Sequence, residues 1–568
     1  MKFLIGVNGM ARRGLLPAVF GFAVVGCQVN QPPADLAFFG GRIFTADTAR
    51  SEAQAVAVRE GRIVYVGSTE GLQPYLAERT EVVDLEGRML LPGFHDTHVH
   101  PVSGGVEAGE CDLNAAEKRE DVVSMVSACA EGTPADQWIR GGGYQLPLFP
   151  DGAPSRDLLD SIIGDRPAFL NSSDAHSAWV SSRALAIAGI TRDTRPPAPD
   201  GVIVRTETGE PQGTLRESAM ELVERHLPPR TDSEILAGLE RGLATAASFG
   251  ITTVHEARAG EAFLRAYASA ADRSLLTARA IVALTVDPRR GSEQVTELAE
   301  LRRRYARQDV RPAAAKIFLD GVIEGGTAAL IEPYLDRPDS RGELNVHPDT
   351  LRSIVAALDD TGFKVHVHAI GDRAIRVALD AFEAQHRRDG GEGPRHLMAH
   401  IQLIALADQP RFEALGVVAS FQPLWFYADS YITDLTEPRL GPERSRYLYP
   451  ARSVVETGAI VAAGSDWSVS SMNPMLGIEV ALTRRSPTAE EGPPWIPGER
   501  LDLETMLLVY TRNGAMAGDL EEETGTITVG KSADLVVLDR DLFEVPPEGI
   551  SDARVDLTVF RGRIVYRR

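Results

Sequence analysis

One pattern recurs through the middle of this chain: an apolar run of strand length, a turn signal, and then a segment with helical periodicity. The runs include "GITTVHEA", "AAAKIFLDG", "KVHVHAIG" and "GVVASFQP", and the helical segment "DRAIRVALDAFEAQHRR" follows the third of them. Buried strands that alternate with helices are typical of parallel βα units. We therefore predict an α/β fold in which residues 92–103 and 231–519 form a (β/α) barrel, with its active site at the carboxyl ends of the strands.

The two ends of the chain have a different character, because glycines break short β-branched runs there. Residues 35–91 contain "LAFFGGRIFTAD" and "AVAVREGRIVYVGS", and residues 520–568 repeat the style, with "GRIVY" beginning at both Gly61 and Gly562. Such runs indicate strands joined by tight turns. We expect 35–91 and 520–568 to build one composite β-sandwich. We expect 104–230, which is rich in loops, to form an inserted domain or cap.

Residues 1–27 are typical of an export signal. Lys2, Arg12 and Arg13 precede the apolar run "GLLPAVFGFAVVGC", which is short for a bilayer span. Its last four residues resemble a bacterial lipobox, which implies a lipidated Cys27 and a short tether at 28–34. Gln28 is not the aspartate that favours inner-membrane retention, so we expect a lipid anchor in the outer membrane of the cell envelope, facing the periplasm. An ordinary signal peptide with an incidental Cys27 is the alternative.

The charge and the cysteines restrict the partners and the compartment. The 568 residues include 80 Asp and Glu against 59 Lys and Arg, a formal charge of -21. This charge disfavours nucleic acid and anionic lipid, so we expect membrane contact only through the anchor. In an oxidising compartment Cys111 and Cys129 could form a disulfide, and two buried free thiols fit the sequence equally well. The oligomeric state stays open, with a homo-oligomer as one option.

The stretch "FHDTHVH" places two histidines on one face of a strand. Successive side chains of a strand point to opposite sides, so His98 and His100 share a face with Asp96, and His95 lies on the other face. Two imidazoles spaced in this way can bind one transition metal. Taken alone, the pair fits solvated or hydrogen-bonded histidines as well. We treat His95 as packing and not as a ligand.

Other apolar runs also end in residues that bind metals. Lys316 precedes Phe318 and Asp320 in "AAAKIFLDG", His366 and His368 share a face in "KVHVHAIG", and "RHLMAH" and "VAAGSD" end in His400 and Asp466. A lysine among buried apolar residues is unfavourable unless it is paired or modified. Carboxylation would turn Lys316 into an anionic oxygen ligand that can bridge two metals. An ion pair with Asp320 is the alternative.

In this order the motifs resemble those of the amidohydrolase superfamily of metal-dependent hydrolases, and in particular its YtcJ-like branch, which contains N-substituted formamide deformylase. "FLNSSDAHSAWVSSRAL", "GTLRESAM", "VHAIGDRAI" and "AGSDWSV" extend the resemblance from about residue 35 to the C-terminus. His95 departs from the branch, where an apolar residue is usual, and so does Arg258 after "VHEA". The resemblance implies a (β/α)8 TIM-type barrel with a composite N- and C-terminal β-sandwich and an inserted α/β segment.

The resemblance also implies roles for the strand-end residues, with zinc as the first expectation and manganese, iron or nickel as alternatives. A single metal held by a subset of the ligands is a further alternative. The full set that it implies is His98, His100 and Asp466 for one divalent ion, His368 and His400 for a second, and a carboxylated Lys316 as the bridge.

Proton transfer and substrate contacts complete the expected site. Asp466 is placed to take a proton from water and pass it to the leaving nitrogen, or acts as a ligand only. His255 ends a barrel-type strand and is the next candidate for proton transfer, or orients a ligand. Asp174 and His176 could instead cap the helix that begins in "SAWVSSRALA", and the aromatic residues, Trp138 and Tyr144 included, could simply pack. The expected substrate contacts are Asp174, His176, Glu217 and Trp467.

Together these features predict a metal-dependent hydrolase that uses metal-activated water to cleave a non-peptide carbon–nitrogen bond of a small molecule, such as an amide or a formamide. One alternative is a metal-dependent, non-hydrolytic enzyme on the same barrel, because one fold supports many functions. The other is an envelope binding protein with a degenerate site. Nothing in the sequence identifies the substrate.

Overall fold

The computed structural model describes residues 31–197, 200–488 and 492–568. The predicted signal peptide, its Cys27 and the first residues of the tether lie outside this range. Within it, no helix combines the length and apolar character needed to cross a bilayer.

The strands are numbered in chain order. They are β1 Leu36–Asp47, β2 Arg50–Arg59, β3 Arg62–Gly67, β4 Glu81–Asp84, β5 Met89–Pro92, β6 Phe94–Val99, β7 Cys111–Asp112, β8 Ile139–Tyr144, β9 Ala168–Ser172, β10 Ser177–Val180, β11 Val202–Arg205, β12 Pro211–Arg216, β13 Ile251–Ala259, β14 Arg279–Thr285, β15 Val310–Phe318, β16 Lys364–Ala369, β17 Leu397–His400, β18 Val418–Phe421, β19 Val461–Ala463, β20 Leu535–Leu538, β21 Val555–Phe560 and β22 Arg563–Arg567.

The α-helices are numbered in the same way. They are α1 Thr69–Leu72, α2 Pro101–Glu107, α3 Arg119–Gly132, α4 Arg156–Ile163, α5 Ser182–Ile187, α6 Glu221–Glu224, α7 Asp232–Ser248, α8 Glu261–Asp272, α9 Val295–Tyr305, α10 Pro348–Asp360, α11 Asp372–Asp389, α12 Gln409–Ala414, α13 Glu437–Leu440, α14 Pro442–Ser445, α15 Ala451–Glu456, α16 Pro474–Thr483, α17 Leu503–Tyr510 and α18 Arg512–Ala517.

Eight parallel strands form the central barrel, in the order β6-β13-β14-β15-β16-β17-β18-β19. Backbone hydrogen bonds close it: the N–H of Asp466 donates to the carbonyl of His98 (2.7 Å), and the N–H of His100 donates to the carbonyl of Trp467 (2.9 Å). The strands are almost wholly buried because helices cover the outside and side chains fill the inside. The predicted (β/α)8 barrel is therefore confirmed.

The helices pack on the barrel as their sequences predict. Helix α7 begins at Thr231, whose side chain accepts a hydrogen bond from the N–H of Glu234 while the Glu234 carboxylate returns to the Thr231 backbone. This capping box satisfies N–H groups that a helix start leaves free. Helix α18 covers the amino-terminal end of the barrel, because Ala517 accepts a hydrogen bond from Lys364 (2.6 Å), the first residue of β16.

A second sheet combines strands from both ends of the chain. Its order is β22-β21-β20-β5-β1-β2-β3, with β4 paired to β1, and the two ends meet where β5 runs antiparallel to β20. Apolar side chains from both halves, among them Phe38, Val56, Val537 and Val559, pack into one core. The described part of the chain thus contains the composite sheet structure that belongs to the predicted fold class.

The segment between β6 and β13 carries a separate six-stranded sheet, in the order β11-β12-β10-β9-β8-β7. Helices α3, α4 and α5 pack against it around two small apolar cores. Cys111 on β7 and Cys129 on α3 form a disulfide, with their Cα atoms 5.5 Å apart. Of the two options that the sequence leaves open, the structure has the bridged form.

Candidate metal centre and active-site cavity

Three candidate ligands converge at the carboxyl end of the barrel. His98 lies on β6, His100 follows it, and Asp466 lies three residues beyond β19. The Asp466 Oδ1 atom is 3.4 Å from His98 Nε2 and 3.1 Å from His100 Nε2. One ligand atom from each residue lies within 4.8 Å of the others. His98 and His100 thus point to the same side, as strand alternation predicts.

This geometry and this chemistry fit a divalent metal. Tetrahedral ligands at the usual zinc–nitrogen and zinc–oxygen distances of about 2.0–2.2 Å are roughly 3.4 Å apart, close to the two separations measured to Asp466. Two imidazoles and a carboxylate suit zinc and several other transition metals. The residues present therefore fit the metal that the sequence predicts.

The other three predicted ligands adjoin this group. Lys316 Nζ lies 3.3 Å from His98 Nε2. The ring centroid of His400 is 4.6 Å from that of His98 and 4.6 Å from that of His368. The structure therefore brings all six predicted ligands into one cluster, from β6, β15, β16, β17 and the segment after β19.

Neighbouring side chains contact the second ring nitrogen of three of these histidines. His98 Nδ1 lies 2.9 Å from His366 Nε2, and His400 Nδ1 lies 3.0 Å from Gln422 Oε1. His100 Nδ1 lies 3.6 Å from Glu256 Oε1. In His98 and His100, the nitrogen that remains is the Nε2 atom that faces Asp466. Such contacts fix the orientation and tautomer of a metal-binding imidazole.

Burial lowers the pKa of most histidines in the cluster and so favours their neutral form. It lowers the pKa of His98 well below the ordinary value, and the positive charge of Lys316 lowers it further. Burial also lowers the pKa values of His368 and His400. His100 differs: burial opposes its protonation, but the hydrogen bond to Asp466 and the negative charge of Glu256 prevail and raise its pKa to about 9. Neutral imidazole is the form that binds a metal.

Lys316 is fully buried, and burial lowers its pKa to about 7. The ion pair with Asp320 that the sequence allowed is not formed among the described residues. The Asp320 carboxylate instead accepts backbone hydrogen bonds from Ala329, Ile370 and Gly371 at 2.9 to 3.0 Å. The amine contacts His98 and lies 4.7 Å from the centre of the Phe318 ring.

The structure does not bring His255 into the centre. Its Nε2 atom has no hydrogen-bond partner and points toward Gly518, where an added Cβ would lie 3.3 Å away. His255 lines a small cavity at the amino-terminal end of the barrel together with Lys364 and Ala517. His255 points away from the candidate ligands because adjacent strand residues point in opposite directions and its neighbour Glu256 contacts His100. Its catalytic or ligand-orienting role stays a prediction.

A cavity of about 760 Å³ opens above the ligands, between the barrel and the inserted segment. Asp174, His176 and Trp467 line it. His176 Nδ1 lies 2.9 Å from Glu217 Oε2, and its ring centroid is 5.2 Å from that of His368. Burial opposes protonation of His176, but the charge of Glu217 prevails and raises its pKa to about 9.

The structure also shows what surrounds Asp174, Glu217 and the two aromatic residues of the inserted segment. Helix α5 begins after Ser181, whose side chain accepts the hydrogen bond from Ala184 N, so neither Asp174 nor His176 caps it. Glu217 does not line the cavity; its Oε1 atom accepts a hydrogen bond from Thr327 (2.9 Å), and its Oε2 atom holds His176. Trp138 and Tyr144 pack in the cores of the inserted segment, as the packing alternative stated.

Sequence reasoning missed Glu256 and Gln422, and it placed His366 beside His368 without giving it a role. All three contact candidate ligands from behind. All three belong to the strand motifs quoted above, in "GITTVHEA", "KVHVHAIG" and "GVVASFQP". Glu256 and Gln422 lie near the ends of buried strand runs, so a search of strand ends for any polar residue would have found these two. The ligand that each one contacts is evident only from the structure.

The structure is a (β/α)8 barrel with a candidate metal site at its carboxyl end, and comparison with known proteins identifies the family. The chain belongs to the amidohydrolase family, whose model matches residues 81–566. The YtcJ protein of Bacillus subtilis is 30% identical over 93% of this chain and 99% of its own length. N-substituted formamide deformylase of Arthrobacter pascens is 25% identical over 94% of this chain and 98% of its own length. The resemblance drawn from the motifs is confirmed.

Solved structures agree with this family. An uncharacterised metal-dependent hydrolase from Pyrococcus furiosus has a TM-score of 0.69 and 26% identity, and covers 89% of this chain and 99% of its own. A second one, from Pyrococcus horikoshii, has a TM-score of 0.71 at 24% identity, covers 90% of this chain and 99% of its own, and supports the fold. The chain is thus a hydrolase of the amidohydrolase family with a cluster that could bind a metal.

Proposed function

We propose that this protein hydrolyses a carbon–nitrogen bond of a small molecule, other than a peptide bond in a protein chain, by means of metal-activated water. The observation that carries the proposal is the convergence of His98, His100 and Asp466 within 4.8 Å, with Asp466 lining the cavity above them. The relative whose name specifies N-substituted formamides supports an amide-type bond. We propose zinc as the metal, since histidine and carboxylate ligands suit it.

A divalent ion bound by these ligands would make water acidic near neutral pH and would polarise a carbonyl oxygen. His98, His100 and Asp466 would hold one ion, and His368 and His400 would hold a second. Lys316, in carboxylated form, would supply an oxygen to both. Its burial and lowered pKa support this, because an uncharged amine is the form that reacts with carbon dioxide.

Asp466 has the position of a proton carrier. Its Oδ1 atom faces the two Nε2 atoms of His98 and His100, while its Oδ2 atom lies 4.0 Å from His400 Nδ1. The residue also lines the cavity. One carboxylate oxygen is thus available to accept a proton from water and return it to the leaving nitrogen.

His176 and Trp467 would hold the substrate from the other side of the cavity. Glu217 contacts His176 Nδ1 and so leaves Nε2 for a substrate carbonyl or leaving group. Trp467 supplies an apolar wall beside Asp466. Through His176, the inserted segment would therefore contribute directly to the cavity in which the reaction would occur.

The test is a screen of small formamides, amides and carbamates against the metal-loaded protein in ¹⁸O-labelled water. We expect cleavage of at least one class, with the label in the acid product. His98→Asn should abolish metal binding and cleavage, while the matched control His226→Asn, at an exposed position, should change neither. A fully loaded protein that cleaves nothing, or a product without label, would contradict hydrolysis and favour the non-hydrolytic or binding alternatives.

Lys316 is tested separately. The mass of the native protein should include one added carbon dioxide, and Lys316→Ala should lose metal and activity, with partial rescue by short carboxylic acids. A fully metal-loaded, active protein with an unmodified amine would refute the bridge.

We also propose that the protein is exported and anchored in the outer membrane through Cys27. The lipobox-like "VVGC" supports this, and so does the Cys111–Cys129 disulfide, since disulfides persist outside the reducing cytosol. Labelled fatty acid should enter the wild-type protein, and Cys27→Ser should no longer sediment with membranes. Absence of label in the wild type would refute the anchor.

A further inference from the structure

The cavity above the candidate metal ligands has an excess of carboxylates, because the charge of His176, whose pKa is raised to about 9, is already paired with Glu217 at 2.9 Å. Besides Asp466, four carboxylates line it, and no Lys or Arg lines it in the described ranges 31–197, 200–488 and 492–568. Across the same ranges, none of the four forms an ion pair with an arginine or lysine. They are Asp112, Asp174, Glu324 and Asp429.

Glu324 is the most deeply buried of the four, with 9% of its surface exposed. Its Oε1 atom accepts hydrogen bonds from Gln402 Nε2 (2.7 Å) and Thr436 Oγ1 (2.6 Å). Its Oε2 atom accepts none from the described residues. Because Glu324 lines the cavity, this second oxygen is open to a donor or a cation that enters it. Such a group would come from a bound molecule.

Asp429 lies near Glu324 on the same side of the cavity. Burial raises the pKa of Asp429 to about 6, the backbone hydrogen bond from Ile432 opposes the rise, and the charge of Glu324 adds to it. Tyr449 is close to both carboxylates: burial raises its pKa, and the charges of Glu324 and Asp429 raise it further. The two acids therefore form one negative region beside an aromatic ring.

Aromatic faces complete this region. Trp425, Tyr427 and Tyr449 line the cavity, and the Trp425 ring stacks on His400 with a centroid distance of 5.7 Å and an angle of 6°. The faces of aromatic rings attract cations, and quaternary ammonium ligands in particular. Carboxylates together with aromatic faces favour an organic cation over a neutral or anionic group.

The nearby arginines are bound elsewhere. Arg484 lies on the far side of Tyr449, donates to the backbone carbonyls of Tyr449 (3.3 Å) and Trp495 (3.1 Å), and does not line the cavity. Arg337 donates to Gly326 O at 2.7 Å, and Arg439 pairs with an aspartate on the neighbouring loop. None of the three contacts Glu324 or Asp429 within ion-pair distance.

We propose that the substrate carries an organic ammonium group, which binds between Glu324, Asp429 and the aromatic faces while its carbon–nitrogen bond lies at the metal ligands. This assignment rests on the proposed function, because it describes the substrate of that same site. It distinguishes the protein from a hydrolase of neutral or anionic amides.

The binding test uses two molecules of the same shape, choline and its uncharged isostere 3,3-dimethylbutanol. Neither contains an amide, and the trimethylammonium group has no lone pair with which to bind a metal. Titration of the zinc-loaded full chain, followed by tryptophan fluorescence or calorimetry, should give a Kd for choline at least about tenfold lower than for the alcohol. Equal affinities, or no saturable binding of choline, would overturn the assignment.

Two variants test whether Glu324 and Asp429 cause the preference for choline. Glu324→Gln and Asp429→Asn should each reduce the choline preference several-fold, whereas Glu392→Gln, at an exposed position, should leave it unchanged. Metal content and circular dichroism identify any variant that fails to fold, and the other variant then carries the test. An unchanged preference in both folded variants would overturn the assignment.

A kinetic measurement distinguishes failure of the ammonium site from failure of the proposed hydrolase function. Amides that differ only in an ammonium or a neutral end group should differ about tenfold in kcat/KM, in favour of the ammonium. Hydrolysis without any such preference, joined to equal binding of the two isosteres, would refute the ammonium site and leave the hydrolase. A choline preference in a protein that hydrolyses no amide would refute the hydrolase and leave the ammonium site.

Discussion

His95 should make the barrel sensitive to acid, and the structure gives the size of the effect. The residue is fully buried on β6, and neither ring nitrogen has a hydrogen-bond partner. Burial, with a contribution from the charge of Arg279, lowers its pKa from 6.5 to about 3. Between these pH values the unfolded chain binds a proton that the folded protein does not, so stability falls as the pH falls.

The loss can be worked out for one pH. At pH 5 the unfolded-state pKa lies 1.5 units above the pH, and each unit is worth about 1.4 kcal/mol, so this residue should lower the free energy of unfolding by about 2 kcal/mol relative to pH 7.5. His95→Leu removes the titrating group and keeps a similar volume. At pH 7.5 the free energy of unfolding of His95→Leu should equal or exceed that of the wild type, because the substitution removes a buried polar group that has no partner. Its advantage should grow by about 2 kcal/mol at pH 5.

Urea unfolding followed by tryptophan fluorescence at both pH values measures the difference. His226→Leu, at an exposed position, serves as the matched control and should show no such growth. If the advantage of His95→Leu is the same at pH 5 and pH 7.5, then His95 gains a proton or a partner in the folded protein, and the reasoning fails.

Three further outcomes are expected. Asp466→Asn should lower turnover at least about a hundredfold while metal content falls much less, and activity lost only in proportion to metal would make Asp466 a ligand alone. Glu256→Gln should weaken metal binding about ten- to a hundredfold in competition with a chelator, because His100 loses its anionic partner, and an unchanged affinity would contradict that role. Replacement of both Cys111 and Cys129 by Ala should destabilise the inserted segment by about 3 kcal/mol, since the bridge closes a loop over a sequence separation of 18. Equal resistance to proteolysis of 104–230 with and without the bridge would refute this last expectation.

Strand alternation explains why the ligands could be predicted. His98 and His100 are two residues apart on one strand, and Lys316, His368, His400 and Asp466 each follow or end a buried run. Since the carboxyl ends of parallel strands meet at one end of a barrel, six such residues in order imply one site. The prediction needed no knowledge of distances, only of which end and which face each residue occupies.

What the sequence left undecided also has a physical reason. His255 and Glu256 are adjacent, so one of them faces the carboxyl-end site and the other does not, and the sequence does not tell which one. The contact between His98 and His366 joins residues 268 positions apart, and its partners become neighbours only through the barrel order. The cysteine pair was undecided for the same reason, because a bridge depends on the spatial separation of two Cα atoms and not on composition.

The barrel closes through hydrogen bonds from Asp466 and His100 to the backbones of His98 and Trp467, and this has a consequence for the timing of activity. His98 lies on the first strand of the barrel and Asp466 follows the last, so these two candidate ligands meet only when the last strand docks on the first. A nascent chain shorter than 466 residues therefore has no complete centre. We expect metal uptake to follow the completion of synthesis and folding, so that the chain stays catalytically silent while it is still being made.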